Sequence, residues 1–137
     1  MVRKAVADCC HGIALNIVDP GAFDDVVAEA MRKGVPVVAF NVDDHSTPNA
    51  RLAAVCQDYF KAGRALATRA LPFIPRGSKV LITQHDRGIS SLDDRMRGIQ
   101  EVLDRHNIPS KVVCTTNEPK KAIEVVSGEL TADSSIQ

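Results

Sequence analysis

The sequence predicts an α/β chain built from parallel strands covered by helices. Three observations carry that expectation. Short runs rich in β-branched residues, at 12–18, 35–40, 79–83 and 111–115, are apolar nearly throughout rather than alternating, which is the pattern of strands buried on both faces. Between them lie apolar stripes at helical spacing. The composition, 45% hydrophobic and 25% charged with no Trp, is that of a globular protein and excludes a disordered, collagen-like or fibrous chain.

The elements follow in order. The run at 12–18 feeds a helix for which Asp19 is the expected N-cap and Pro20 suits the first helical position. Phe23, Val26, Val27, Ala30 and Met31 fall on one face of it, and Gly34 supplies a left-handed stop. The run at 35–40 is followed by a polar, turn-rich loop at 41–50 and a short run at 51–56. That loop is too short for a crossover helix, so the run at 51–56 is expected to be an edge strand or a passage between lobes. Asp58 then caps a helix with Ala62, Leu66, Ala70 and Leu71 on its stripe. After 79–83, Ser90 or Ser91 precedes a helix carrying Leu92, Met96, Ile99 and Leu103. Asp93 and Asp94 stand in its first turn, where the helix dipole favours acid. The run at 111–115 leads to a last helix that follows Pro119 and carries Ala122, Ile123 and Val126. The tail at 131–137 stops where another helix-to-strand unit would begin.

Charge and cysteine usage narrow the function. With 17 basic and 17 acidic side chains, the chain has no basic footprint for nucleic acid and no pull toward an anionic membrane. No apolar run reaches the roughly 18–20 residues of a membrane span. The first eight residues hold Arg3 and Lys4 with no long apolar stretch behind them, so no signal peptide is read here. Cysteines at 9, 10, 56 and 114 form no Cys-x-x-Cys pair, and adjacent Cys9 and Cys10 bridge only with strain. Neither a disulfide framework nor a zinc site is expected. Cys9, Cys10 and His11 are three metal-binding types in a row, but no second cluster completes a tetrahedral shell, and a helix end followed by a turn is the simpler expectation. Cys56 and Cys114 fall in apolar runs as small buried hydrophobes. His45 beside Asp43 and Asp44, and His85 before Asp86, offer acid–base pairs without a nucleophile or a phosphate loop. No enzymatic activity and no cofactor are expected.

Three ordered segments carry a resemblance. Residues 8–44, with GIALNIVDPGAFDDVVAEAMRKGVPVVAFNVDD, resemble the middle of a periplasmic sugar-binding protein of the type I solute-binding superfamily, nearest the ribose- and galactose-binding branch. RLAAVCQDYFKAGRALA is similar to that family's crossing between lobes, with the Ala62-Gly63 pair. KVLITQHDRGISSLDDRMRGIQEVL resembles the strand, glycine loop and helix that follow, with an Arg-x-x-Gly signature at Arg95 and Gly98. The resemblance implies two flavodoxin-like lobes, with residues 1–57 as the latter part of the N-terminal lobe and 58–137 as the first part of the C-terminal lobe. A small polar ligand, usually a monosaccharide, binds such proteins between the lobes at the carboxyl ends of the strands.

Site residues follow from the same resemblance. Asn41 ends its strand where relatives place an Asn or Asp that hydrogen-bonds sugar hydroxyls, and an amide both donates and accepts. Asp43, two residues on, is placed to touch the same ligand or to cap the loop. Arg95 is where relatives hold sugar hydroxyls or the ring oxygen with a rigid fork of donors. Ser91 stands where galactose-binding relatives carry an aspartate. Asp58 is a ligand candidate whose stronger claim is as a helix cap. Val42 and Ile89 depart from polar positions of hexose and ribose binders, which leaves the sugar open. The implied function is that of a solute-binding component of an ABC importer, periplasmic by resemblance, with the importer's membrane component as partner. The alternative is the effector-binding core of a LacI-type regulator, or a remnant without activity.

The family's lobes need several strands each, and 137 residues begin late in the first lobe and stop within the second. Three outcomes are expected to compete. The chain is a fragment of a longer parent, two copies dimerise or exchange elements, or the strands reorganise into one compact sheet. A fragment that self-associates, as a homo-oligomer, is the favoured expectation.

Overall fold

The computed structural model describes residues 1–19, 21–43 and 49–137. They fall into two compact units: Met1–Gln57 with Ile89–Ser91, and Asp58–Gly88 with Leu92–Gln137. Strands are parallel in both, but the chain forms two sheets rather than one, so the single reorganised sheet does not occur. Among the described residues no helix is long and apolar enough to cross a membrane.

In the first unit, helix α1 (Val2–Ala7) precedes strand β1 (Ile13–Leu15), helix α2 (Asp24–Arg32) and strands β2 (Val37–Asn41) and β3 (Ala53–Cys56). The sheet runs β1-β2-β3, with Ile13 opposite Val37 and Val38 opposite Ala53. The expected stripe of α2 is real: Val27 and Ala30 are fully buried, and with Val2, Val35 and Val37 they form the core against which Phe23, Val26 and Met31 pack. Each such buried valine contributes roughly 1.5–3 kcal/mol. The start of α2 differs from expectation. Asp19 does not cap it; its carbonyl accepts from Ala22 N–H in a turn. Gly21, at φ +78°, breaks the helical path, so the helix begins at the acidic pair Asp24 and Asp25. The expectation for Pro20 lies outside the described residues.

The helix ends show one repeated solution. Past α2, Gly34 sits at φ +78°. Val35 N–H reaches back to Ala30 O while Gly34 N–H bonds Met31 O, so two carbonyls left over at the helix end are paired. Helix α1 ends identically, with Cys9 at φ +58°, Cys10 N–H on Ala5 O and Cys9 N–H on Val6 O. The expected helix end at Cys9 is therefore present.

Strand β3 is an edge strand, and residues 42–52 reach it from β2 without a described helix. Within this sheet the cover is uneven. Val37 and Ala39 are buried, but Phe40 is 46% and Val55 72% exposed, since no described helix covers their face.

In the second unit, helix α3 (Tyr59–Ala70) and a 3-10 turn (Leu71–Phe73) lead to strand β4 (Val80–Gln84). Helix α4 (Ser90–Arg105), strand β5 (Ser110–Cys114) and helix α5 (Pro119–Ala132) follow. Strands β4 and β5 pair from Val80 with Ser110 to Gln84 with Cys114. Along its other edge β4 is entered by a single bridge, Lys79 with Ile136, where Lys79 N–H bonds Ser135 O and Lys79 Nζ pairs with Asp133. Helix α4 ends as α1 and α2 do, with Asn107 at φ +55° and Ile108 N–H on Leu103 O. Helix α5 starts with Pro119 in its first turn, as expected, but buries no residue fully; Ile123 is 66% exposed.

The stripe expected on α3 is off by one position. Gly63 and Ala67 are its buried residues, while Leu66 is 56% exposed. The reason is the way α3 meets α4. A Cβ built on Gly63 would lie 2.1 Å from Arg95 O, and one on Gly98 would lie 2.2 Å from Phe60 O. Two helix backbones touch through reciprocal glycines, a contact that no side-chain stripe announces.

Candidate functional site

At the carboxyl end of β2 the chain makes a three-residue turn. Asn41 adopts φ +61°, and Val42 N–H donates to Phe40 O at 2.7 Å. Such a turn with positive φ is strained, and asparagine is among the few residues that tolerate it. Its geometry is fixed from the end of β1: Asn16 Oδ1 accepts from Val42 N–H at 3.0 Å and lies 3.5 Å from Asn41 Nδ2. Asn41 itself is exposed at the strand end.

Asp43 is placed differently. Its side chain has no exposed surface, and Oδ2 accepts from Arg51 Nη2 at 2.6 Å, the arginine being 17% exposed. A carboxylate and a guanidinium paired this far from water hold the loop between β2 and β3. Ser90 Oγ donates to Asp43 O at 3.2 Å. Cys56, opposite Asn41 in the ladder, has its thiol pKa pushed up, first by burial and then by Asp43, with Arg51 partly opposing. The acid–base pairing of His45 with Asp43 and Asp44 involves positions 44–48, outside the described residues.

Asp58 caps α3, accepting from Lys61 N–H at 2.9 Å, and pairs with Lys61 Nζ at 3.1 Å. Ser91 is buried in the first turn of α4. Arg95, one turn further, lays its guanidinium over the Tyr59 ring, 4.8 Å from the centroid. Gln84 ends β4 as a buried amide. Its Nε2 lies 3.5 Å from Asp93 Oδ1, and its Oε1 has no hydrogen-bond partner among the described residues. Asp93 Oδ2 accepts from Gly88 N–H at 2.9 Å, with Gly88 at φ +79°, so one carboxylate fastens the loop between β4 and α4. A crevice of about 530 Å³, lined by Gln84, Arg87, Asp93 and Gln100 among others, opens beside it. Asp86, the partner imagined for His85, accepts from Arg87 N–H at 2.8 Å.

Asn41 and Asp43 lie at the carboxyl end of β2 in the first unit, and Asp58 and Arg95 lie at and near the starts of α3 and α4 in the second. Sequence reasoning missed Asn16, Arg51 and Gln84. Asn16 and Gln84 carried a faint signal, each being an amide in or ending an otherwise apolar run. Arg51 carried none, since its partner is set by folding.

Comparison with known proteins decides the family. The periplasmic binding protein domain matches residues 1–137. The chain belongs to that family. A relative with a curated description, the xylose/arabinose-binding protein XylF of Sulfolobus acidocaldarius, is 30% identical over 77% of this chain and 28% of its own length. A carbohydrate transporter from Acidothermus cellulolyticus, solved in complex with myo-inositol, is 27% identical with a TM-score of 0.84, covering 99% of this chain and 46% of that one. The periplasmic sugar-binding protein of an ABC sugar transporter from Legionella pneumophila superposes with a TM-score of 0.93 over 99% of this chain and 50% of its own. At 23% identity it shows the fold alone. The chain therefore spans about half of these solved relatives and 28% of XylF, and its parallel sheets with helices are a partial periplasmic-binding-protein fold.

Proposed function

We propose that the chain binds a simple sugar reversibly as part of the solute-binding component of an ABC importer. The observation that carries this is the likeness over 99% of the chain, at 27% identity, to a carbohydrate transporter solved with myo-inositol. Residues 1–57 serve as the latter part of an N-terminal lobe, and 58–137 as the first part of a C-terminal lobe. Work is done outside the cytoplasm, with the importer's membrane component as partner, and the chemistry is hydrogen bonding rather than catalysis.

The groups fit hydroxyl recognition. Asn41, held in its turn by Asn16, offers both a donor and an acceptor to a sugar hydroxyl. Arg95 offers a planar fork to vicinal hydroxyls or the ring oxygen. Ser91 adds a hydroxyl contact. Asp43 serves the ligand chiefly by holding, with Arg51, the loop that follows Asn41. Asp58 is bound to its capping role and stands at the margin of the site. Exposed Phe40 and Val55 favour self-association of this chain.

Calorimetry against D-xylose, L-arabinose, D-ribose, D-galactose and myo-inositol tests the function. Asn41→Gly is the informative variant, because glycine keeps the positive φ while deleting the amide. Binding of at least one sugar, lost in Arg95→Ala and weakened in Asn41→Gly, is expected. No heat at millimolar sugar, or full affinity in both variants, overturns it. Light scattering reads the self-association: a monodisperse monomer at working concentration removes that part.

A further inference from the structure

Tyr59 is the single tyrosine of a chain without tryptophan, and it lies against the residue on which sugar recognition depends. We propose that Tyr59 is a positioning residue for Arg95. It presents an aromatic face that holds the guanidinium plane in the orientation from which it meets the sugar. Tyr59 thereby also serves as the chain's own optical reporter of ligand. This role rests on the reading of Arg95 as a sugar-holding residue.

The geometry is imposed by the helix crossing. Gly63 lies against Arg95 O and Gly98 against Phe60 O, so α3 and α4 cannot slide or separate at this level without losing backbone contact. Tyr59 is one turn before Gly63 on the same face of α3. The Tyr59 ring and the Arg95 guanidinium meet across this crossing, with 4.8 Å between guanidinium carbon and ring centroid. Asp58 fixes the first turn that carries Tyr59, through Lys61 N–H. An arginine has many rotamers, and one held flat on a ring has fewer to lose when it binds. The ring takes the face of the cation and leaves the edge, with its N–H groups, for hydroxyls. Arg97, with its guanidinium carbon 5.8 Å from the Phe60 ring, is a looser copy of the arrangement on the more exposed side of α4.

The test has two arms on the whole chain. Without ligand, the Arg95 Nε–Hε resonance is compared in wild type, Tyr59→Phe and Tyr59→Leu. An upfield ring-current shift is expected in wild type, kept in Tyr59→Phe and lost in Tyr59→Leu; the same resonance position in all three overturns the proposal. In the second arm the sugar panel is titrated while tyrosine emission and calorimetric heat are recorded. Tyr59→Leu is expected to weaken binding about two- to fivefold, with Tyr59→Phe restoring it, and wild-type emission is expected to change on saturation. Full affinity in Tyr59→Leu, when Arg95→Ala has lost binding, overturns the positioning role. Wild-type affinity in Arg95→Ala instead overturns the reading of Arg95, and the ligand-free arm still decides whether the ring holds the guanidinium. A thermal melt of Tyr59→Leu within a few degrees of wild type keeps either result from being a folding failure.

Discussion

The two units hold their candidate site groups by opposite means. In the first, polar groups are fixed by charge and backbone strain: Asp43 is buried against Arg51, and Asn41 is bent into a positive-φ turn clamped by Asn16. In the second, they are fixed by steric fit: two glycines let α3 and α4 touch, and Arg95 lies on an aromatic ring. The first arrangement depends on desolvated electrostatics and the second on excluded volume, so they should fail under different substitutions.

The largest break is expected from Asp43→Ala, which removes the fully buried carboxylate that pairs with Arg51. Removing one partner of a buried pair costs about 3–5 kcal/mol. Residue-resolved hydrogen exchange should show protection lost around β2 and β3 and kept in α4 and β5. Next comes Gly98→Ala. Its methyl would meet Phe60 O at 2.2 Å, a backbone atom that cannot swing away, so a loss of about 3 kcal/mol is expected. Here exchange should accelerate in α3 and α4 while Val27 and Val37 stay protected. If both variants loosen both units equally, the contrast between them is wrong. Asn41→Ala is smaller, about 1–2 kcal/mol, because alanine pays for the positive φ that asparagine tolerates. A urea melt should rank it below Asn41→Gly in stability.

The smallest effect sharpens the second unit at its margin. The Lys79 ammonium beside Asp133, helped by the Ser135 hydroxyl and N–H, holds the Asp133 carboxyl well below the usual carboxylate range. A carboxylate whose pKa is depressed by folding adds stability above its unfolded value of about 4 and gives it up as pH falls through the folded value. Protection of the Lys79 and Ile136 amides, relative to their intrinsic exchange rate, should therefore fall on acidifying below about pH 4, and Asp133→Asn should remove that dependence.

Much of the fold was legible because it rests on local physics. The stripe of α2, the stop at Gly34, the cap at Asp58 and the edge character of β3 all come from residues within a few positions of one another. Asp19 failed as a cap because Gly21 interrupts the path, which a list of good cap residues does not weigh. The face of α3 was misplaced by one position because the contact is made by glycine against backbone, and hydrophobic spacing cannot register a side chain that is absent. Of the candidate site, Arg95 was proposed through resemblance, whereas Arg51, Asn16 and Tyr59 enter through partners brought close by folding: Arg51 is eight residues from Asp43, Asn16 is 26 from Val42. Those pairings belong to the tertiary structure and have no local signature.

The three helix ends built alike carry a separate consequence. Cys9, Gly34 and Asn107 occupy the same left-handed position in the same pair of backbone hydrogen bonds, with three different side chains. The protein thus contains its own scale for what a Cβ costs there. Glycine sits at the relaxed end, asparagine in the middle, and cysteine at the expensive end, on the shortest helix of the three. Cys9→Gly is a substitution that should firm the amino-terminal turn without touching any group assigned to ligand, and the difference from Asn107→Gly would read the worth of an amide at one backbone angle.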